Sequence, residues 1–423
     1  MIVKINFNKV LSNLIAIYIF LLMFGGVLTK VTFKHPLLFE LKKILPDIVY
    51  ISLIICGVIY ILSSKKLKIR KSNIRNLIFY YVIGIVILNF MYIEKFGIDT
   101  IYILRDNILP FLGLWIFSNV VLEDEFKRDL IKKIFFICVI QAIMGFMLAM
   151  VQSKLGWEWT SNFYTGYSFY EQDPISNIKI WESNGRLRVP SLAGQSAIFA
   201  YYNVFCMTIF LNFGRNKYIK YILTAISFIN IVLATSKVSV VVSIVIICIY
   251  VTYNLEFNFK TFIYSMLISC AVILFLNIAL NHSSILYSLN DRVSNVWVNI
   301  FRQIQVNEYI LPINIFNSIN TNTEMYLKTT DSMYITILIN YGIIGIIMSG
   351  ILIVNFFKGI NNNYKNFLFM LIVMFLLIGI TTNIFEGRAF ASIFFLIVPI
   401  FVNGDVNKVN FNKKDGIYES MHS

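Results

Sequence analysis

The hydrophobic positions of this chain form long, nearly continuous runs, and the short stretches between the runs carry most of the charge. Many runs approach the 20 or so residues that an α-helix needs to cross about 30 Å of hydrocarbon. The pattern predicts an all-α, polytopic membrane protein with about twelve transmembrane helices. The expected spans are roughly 10–28, 44–63, 76–93, 101–121, 132–151, 191–212, 219–234, 238–253, 261–280, 332–353, 366–383 and 388–403.

Composition agrees with this pattern. Of the 423 residues, 58% are hydrophobic and only 14% are charged. A soluble chain of this length could not hide so much apolar surface from water. We therefore expect residues 1–423 to form a single transmembrane domain.

The formal charge of +14 indicates the topology of the chain. Three loops that the predicted spans place on one side are basic: residues 63–75 hold six Lys or Arg, residues 123–133 four and residues 214–220 three. By the positive-inside rule that side is cytoplasmic, and both termini lie there too. The charge is thus explained without nucleic acid as a partner.

Several kinds of chemistry are not expected. The short cytoplasmic loops contain no GxxxxGK phosphate-binding loop and leave no room for a nucleotide-binding domain, so we expect no ATP hydrolysis. The three histidines are far apart in sequence, and all cysteines fall within predicted spans, where they are expected to be small buried apolar residues. The sequence predicts no disulfide, no metal site and no cofactor. The cysteines are Cys56, Cys138, Cys206, Cys248 and Cys270.

Two long loops, residues 152–190 and 281–331, lie on the outer side, and we expect function there. The first is rich in aromatic, acidic and amide side chains, a mixture suited to carbohydrate but also typical of an aromatic belt at the membrane interface. It ends with Arg186 and Arg188 just before a span. Guanidinium groups offer forked donors that suit phosphate or diphosphate.

The second loop contains a helical pattern near residues 291–304. Apolar residues recur on one side of it, while Arg292 and Arg302 lie on the other. This pattern predicts a helix lying in the outer membrane interface. Its arginines either contact lipid phosphates or hold an anionic substrate headgroup.

The segment 329–350 combines an acid, aromatic residues and glycines within an apolar run. On a continuous helix, five of these residues share one face, which we expect to line an outward cavity. They are Asp331, Tyr334, Leu338, Tyr341 and Gly345. Asp331 at the rim is either a base or a cap of the helix N-terminus. Gly342 and Gly345 are expected to let a neighbouring helix approach closely.

Arg105 and Asp106 lie within the predicted span 101–121. Charges inside a membrane are costly and are usually functional or paired. Because both lie near the outer end, Arg105 either binds substrate or extends to the membrane surface.

Four stretches occur in the order of landmarks of one family: "GRLRVPSLAGQSAIFAYYNVF", "VLATSKVSVVVSIVI", "DRVSNVWVNIFRQIQVNEYI" and "DSMYITILINYGIIGIIMSGILI". With them the chain resembles the Wzy-type polysaccharide polymerases and the related O-antigen ligases, over about residues 185–355. Two positions depart from the family pattern. Lys237 stands where arginine is usual, and Asp331 stands where the ligases commonly have histidine, which favours a polymerase.

The resemblance implies a bundle like that of the C-type glycosyltransferases, with an outward-facing site. It implies an enzyme that polymerises oligosaccharide repeat units carried on polyprenyl diphosphate, at the outer face of the bacterial cytoplasmic membrane. By this resemblance Arg186, Arg188 and Arg292 would bind the diphosphate. Because Asp331 departs from the family pattern, the resemblance leaves the base open, and Asp331 is our candidate catalytic residue as a base or as a group that orients the acceptor. The other substrate-binding residues expected are Arg302, Lys237, Tyr334, Tyr341 and Arg105.

Two alternatives stay open at this point. One is an O-antigen ligase that transfers the finished glycan, and the other is a flippase or transporter of lipid-linked oligosaccharide, because many spans with intramembrane charges also suit alternating access. The expected partners are the lipid-linked substrate, membrane lipids, and a flippase and a chain-length regulator of the same pathway.

Overall fold

The structure is a computed structural model, and it describes residues 7–63, 80, 83–84, 99–120, 122–164, 182–183, 186–253, 292–298, 301, 332–358, 362–382 and 389–402. The predicted span 261–280 and most of the predicted span 76–93 lie outside these residues.

The described part of the chain is helical apart from one two-residue ladder. Its α-helices are α1 (Phe7–Met23), α2 (Gly25–Phe33), α3 (Pro36–Ser63), α4 (Asp99–Asn119), α5 (Asp124–Phe163), α6 (Ser196–Phe213), α7 (Lys217–Leu233), α8 (Lys237–Tyr253), α9 (Met333–Lys358), α10 (Lys365–Thr381) and α11 (Ala389–Phe401). Two 3-10 turns, Ser191–Ala193 and Asn362–Tyr364, precede α6 and α10. The ladder pairs β1 (Glu182–Ser183) with β2 (Arg186–Leu187) in antiparallel register.

Among the described residues, two helices, α5 and α6, are long and apolar enough to cross a membrane alone. The pair α1 and α2 would make a third span, although the two helices are bent by 75° at the break between them. Shorter apolar helices lie at Leu109–Asn119, Lys237–Thr252, Tyr341–Phe357, Lys365–Ile380 and Phe390–Phe401. The helical class is confirmed for the described residues, whereas the number of twelve spans is not.

Helix α6 forms the centre of the described bundle. Every residue from Phe199 to Leu211 is buried, so the helix is enclosed on all sides, as expected for one that is apolar all round. It packs against α5, α7, α8 and α10. The residues that follow Arg188 therefore lead directly into the core.

Helix α5 is longer than the predicted span 132–151. Asp124 and Glu125 in its first turn complement the helix dipole, and the helix continues to Phe163 across a break at Gly156 with φ 80° and ψ −171°. Residues 152–163, which we expected to begin the first outer loop, are therefore helical. This stretch is too polar to be recognised as a helix from hydropathy. The glycine lets the chain change direction while the helix continues beyond it.

Helix α9 also breaks at a glycine. Gly342 has φ 65° and ψ −171°, so the prediction of one continuous face from Tyr334 to Gly345 is wrong. A Cβ added to Gly345 would lie 2.2 Å from the Cβ of Tyr341 in the same helix. For Gly345 this corrects the expectation of a close neighbouring helix, because the atoms nearest to its added Cβ belong to α9 itself. For Gly342 that expectation stays a prediction.

The predicted interfacial helix near 291–304 is described at residues 292–298 and 301. Residues Arg292–Trp297 form a π-helical turn, whose hydrogen bonds span five residues instead of four. This part of the segment is helical, as predicted, but its spacing differs from the α-helical periodicity that we assumed.

Candidate functional site

The segment from Arg186 to Ser196 passes over one end of the helical bundle. Its backbone is tied to α7, because the Val189 N–H donates to the Leu233 carbonyl oxygen at 3.4 Å. The contact holds Arg188 beside the short junction between α7 and α8. In that junction Thr235 has φ 52°, a conformation that few residues with a side chain adopt.

A buried polar cluster fixes the turn that follows the arginines. The cluster consists of Gln152, Tyr164 and Ser191, whose side chains are almost completely inaccessible to solvent. Gln152 donates from Nε2 to the Tyr164 hydroxyl oxygen at 2.9 Å, and its Oε1 accepts from the Ser191 N–H at 3.0 Å. The Tyr164 hydroxyl in turn donates to the Ser191 carbonyl oxygen. Such a closed network is costly to break, because each lost partner leaves a buried polar group unpaired.

The same turn is bonded to the middle of α5. The Ser191 hydroxyl donates to the Gly145 carbonyl oxygen at 2.7 Å, and Ser191 itself has a positive φ of 43°. A non-glycine residue keeps that conformation only where its surroundings impose it. The position of the arginine-bearing segment is therefore set by α5.

Two buried asparagines link the helices α5, α6 and α7 below this turn by hydrogen bonds. Asn230 on α7 donates to the Ala142 carbonyl oxygen at 3.0 Å and to the Asn203 side-chain oxygen at 2.9 Å. Asn203 on α6 donates to the Phe199 carbonyl oxygen at 2.8 Å. These bonds join α5, α6 and α7, so the support for the site is polar as well as apolar.

Helix α2 covers the turn from the side. Gly26 approaches it so closely that an added Cβ would lie 2.3 Å from the Gly194 nitrogen, which leaves no space for a side chain. Lys30 on the same helix donates to the Asn162 carbonyl oxygen at 3.2 Å. The bend after α1 thus brings α2 against both the turn and the end of α5.

One further cation borders this region. Lys42, near the start of α3, donates to the Thr29 hydroxyl. Burial, and then the positive charge of neighbouring Lys43, lower the pKa of Lys42. The region around α2 is therefore positively charged without being fully exposed.

Arg188 and Lys237 come together at the junction between α7 and α8. Both side chains are half-buried, the Nε atom of Arg188 is buried, and the Arg188 guanidinium repels the Lys237 ammonium. Two partly desolvated cations at one place favour an anion beside them, because it offsets their mutual repulsion. Of the predicted site residues, these two are the ones that the described side chains bring together.

The other predicted residues fall into three groups. Arg186 lies in β2, Arg292 opens the π-helical turn and Arg105 lies in α4, but their side chains are outside the described part of the structure. Asp331 and Arg302 are outside the described residues altogether. Their roles stay predictions.

Tyr334 and Tyr341 are held by neighbouring helices. The Tyr334 hydroxyl donates to the Leu376 carbonyl oxygen on α10 at 3.0 Å. Tyr341 is only 4% exposed, and its ring meets the edge of the Phe111 ring with centroids 6.0 Å apart. These contacts favour packing roles for both tyrosines over contact with a ligand.

The start of α9 is anchored at the same end of the bundle. The Met333 N–H donates to the Thr382 carbonyl oxygen at 3.1 Å, and the Thr382 hydroxyl shares a hydrogen bond with the Tyr201 hydroxyl. The first residues of α9 are therefore fixed to both α6 and α10. Ser332, where the described segment begins, directly follows the predicted base in the sequence.

Sequence reasoning missed the buried polar cluster and the two asparagines. The two asparagines could have been noticed, because Asn203 and Asn230 interrupt apolar runs. Polar residues inside predicted spans usually have a structural or functional partner. Ser191 gave no such signal, since its partners Gln152 and Tyr164 lie beyond the predicted end of the span 132–151.

Chemically, the site offers cations on a rigid support. No group of three or more His, Cys, Asp or Glu side chains that could hold a metal ion occurs among the described residues.

No protein-family model matches the chain, and a comparison with curated proteins gives no match either.

Proposed function

We propose that this chain is a polysaccharide polymerase, a glycosyltransferase that joins oligosaccharide repeat units carried on polyprenyl diphosphate. It acts at the outer face of the bacterial cytoplasmic membrane, with about twelve spans and both termini in the cytoplasm. The observation that carries the proposal is the proximity of two half-buried cations, Arg188 and Lys237, next to a turn that buried hydrogen bonds hold in place. The ordered landmarks of the sequence supply the reaction class.

The reaction needs the charges that this arrangement offers. The acceptor hydroxyl oxygen attacks the anomeric carbon of the donor sugar, and a new C–O bond forms. The bond between that carbon and the diphosphate breaks, and the diphosphate leaves with the bonding electrons. Cations held at the leaving group stabilise the negative charge that develops there.

The two cations serve the diphosphate in different ways. The guanidinium of Arg188 presents parallel donors that match two phosphate oxygens, whereas the ammonium of Lys237 acts as a compact charge. Burial of the Arg188 Nε atom strengthens its interaction with an anion, because less water screens it. Arg186 and Arg292 are proposed to complete the diphosphate-binding site.

The acceptor hydroxyl must also lose its proton. Asp331 is the proposed base, at the start of the segment that leads into α9. The anchoring of Met333 to Thr382 gives this segment a fixed end, which favours a defined position for the acceptor. A pathway flippase would deliver the substrate, and a chain-length regulator would set the size of the product.

The proposal is tested by deleting the chain from its host and analysing surface glycans and lipid-linked sugars from the same cells. A polymerase defect would leave single repeat units on lipid exposed at the outer leaflet and no long polymer. Long polymer stranded on lipid would instead identify a ligase. Repeat units confined to the inner leaflet would identify a flippase and would remove the catalytic assignments.

A further inference from the structure

A second charged site lies at the opposite end of α5 from Arg188. There the first turns of α5, the start of α1, the end of α6 and the turn before α10 enclose an open cleft with a volume of about 780 Å³. Its cations are Lys9, Arg128, Lys132 and Arg215. The polymerase proposal assigns no role to any of them.

The acids of the cleft do not balance these cations. Glu125 and Asp129 also line it, but Asp129 is engaged by its neighbours. Its Oδ2 atom accepts from the Ser12 hydroxyl and from the Lys133 ammonium, both at 2.6 Å. Among the described residues, the other acid, Glu125, has no bonds of this kind. The four cations thus outnumber the acids, and the cleft is positively charged.

All four cations of the cleft are exposed. Within the described parts of the chain, Arg128, Lys132 and Arg215 form no ion pair. They come from two different elements, because Arg128 and Lys132 lie one turn apart on α5 while Arg215 follows α6. Cations held on separate elements can contact an anion from more than one side.

The walls of the cleft are fixed. Ser12 and Lys133, themselves bonded at 2.6 Å, join α1 to α5 around Asp129. Lys127 is 1% exposed, pairs with Asp124 at 3.5 Å and lies over the Tyr364 ring at 5.8 Å from its centroid. A buried lysine of this kind is costly unless it is paired, so it holds the turn at Tyr364 in place.

The cleft also has an apolar side at the height where the membrane is expected to begin. Phe126, Phe213 and Tyr364 line it, Lys132 opens the predicted span 132–151, and α6 ends at Phe213. A ligand here meets cations on one side and aromatic surface on the other. A lipid headgroup with its attached acyl chains has that combination of charge and apolar surface.

We propose that this cleft binds the phosphate-bearing headgroup of an anionic phospholipid. The phosphate contacts Arg128, Lys132 and Arg215, and the glycerol end lies against Phe213 and Tyr364. By the positive-inside rule this end of the bundle faces the cytoplasmic leaflet. Anionic lipids there attract basic residues near the surface, and the arginines add forked hydrogen bonds to phosphate.

The test uses the full-length protein purified in a neutral detergent. Binding of phosphatidylglycerol is measured by native mass spectrometry and by the rise in unfolding temperature, with phosphatidylcholine and inorganic phosphate as comparison ligands. The test variant carries Arg128→Gln, Lys132→Gln and Arg215→Gln. The control variant removes three exposed charges away from the cleft: Lys34→Gln, Lys43→Gln and Lys154→Gln.

We expect phosphatidylglycerol to bind the test variant roughly a hundredfold more weakly than the parent, and the control variant within about threefold of it. If the test variant does not fold, Lys132→Gln alone should weaken binding about fivefold. Equal losses in both variants, or no loss in either, would overturn the proposal. Binding of inorganic phosphate but not of the lipid, lost in the test variant only, would overturn the lipid as the occupant. Because no glycan substrate is present, failure here is distinct from failure of the polymerase proposal.

Discussion

At the scale of single residues, Arg188 gives the most direct test of the proposed diphosphate-binding site. Its charge is half-buried beside Lys237, so the two cations can act together on one anion. We expect Arg188→Ala to lower polymer yield at least about a hundredfold, as loss of a key transition-state donor does. Arg188→Lys should retain part of the activity, because it keeps the charge but not the forked donors.

Polymer yield should be measured by surface glycan analysis and normalised to the amount of protein in the membrane. Lys154→Ala is a suitable control, because this exposed lysine on α5 lies near the same end of the bundle without lining the site. Full polymer from Arg188→Ala at normal protein levels would remove Arg188 from the diphosphate site.

Asp331 can be tested for its two predicted roles with one substitution. Asn caps a helix N-terminus about as well as Asp, but it cannot accept a proton from a hydroxyl. We expect Asp331→Asn to reach the membrane in normal amounts and to make little polymer. Normal polymer in this variant would leave Asp331 as a cap only.

At the scale of structural elements, the turn at Ser191 depends on α5. Gln152→Leu removes both hydrogen bonds that this side chain makes to Tyr164 and Ser191, and it leaves buried polar groups unpaired. We expect a loss of about 2 kcal/mol in unfolding free energy, within the usual range for such groups. Ser153→Ala is the matched control, since Ser153 is the exposed neighbour on the same helix. Thermal unfolding in detergent measures both, and equal stability of the two variants would argue against a supporting role for the cluster.

The break in α9 gives a second prediction at this scale. Gly342 has φ 65° and ψ −171°, a conformation that is strained for any residue with a Cβ. Gly342→Ala should therefore destabilise the protein by about 1–3 kcal/mol. Gly350→Ala, in the regular part of the same helix with open space around it, should be neutral or stabilising by up to about 1 kcal/mol. A harmless Gly342→Ala would mean that α9 is continuous at this position.

At the scale of the whole molecule, hydropathy located the helices better than it located their ends. The predicted spans 219–234 and 238–253 agree closely with α7 and α8, because charged or polar residues flank these apolar runs. The predicted span 132–151 missed residues 152–163 at the end of α5, since the continuation past Gly156 is polar and is recognisable only from its packing. The bend between α1 and α2 brings Gly26 against Gly194, and no local pattern connects these distant positions.

The candidate site was predictable in one respect and hidden in another. Arg188 could be selected from its position just before an apolar run, and Lys237 from the resemblance of its segment to a family motif. The structure places the two cations near each other. The hydrogen bonds that hold the turn beside these cations could not be predicted. Those from Ser191 to Gly145 and Gln152 join residues about 40 positions apart. Local periodicity carries no information on such long-range pairs.

Both proposals depend on the orientation of the bundle, which is itself testable. Lys154 lies on the part of α5 near the Arg188 turn, and Lys217 lies near the cleft, and both are exposed. We expect Lys154→Cys to react with a membrane-impermeant maleimide on intact cells, and Lys217→Cys to react only after permeabilisation. The parent protein measures labelling of the native cysteines. The opposite result would place Arg188 in the cytoplasm, where no outward transfer could occur, and would turn the basic cleft toward the outer leaflet.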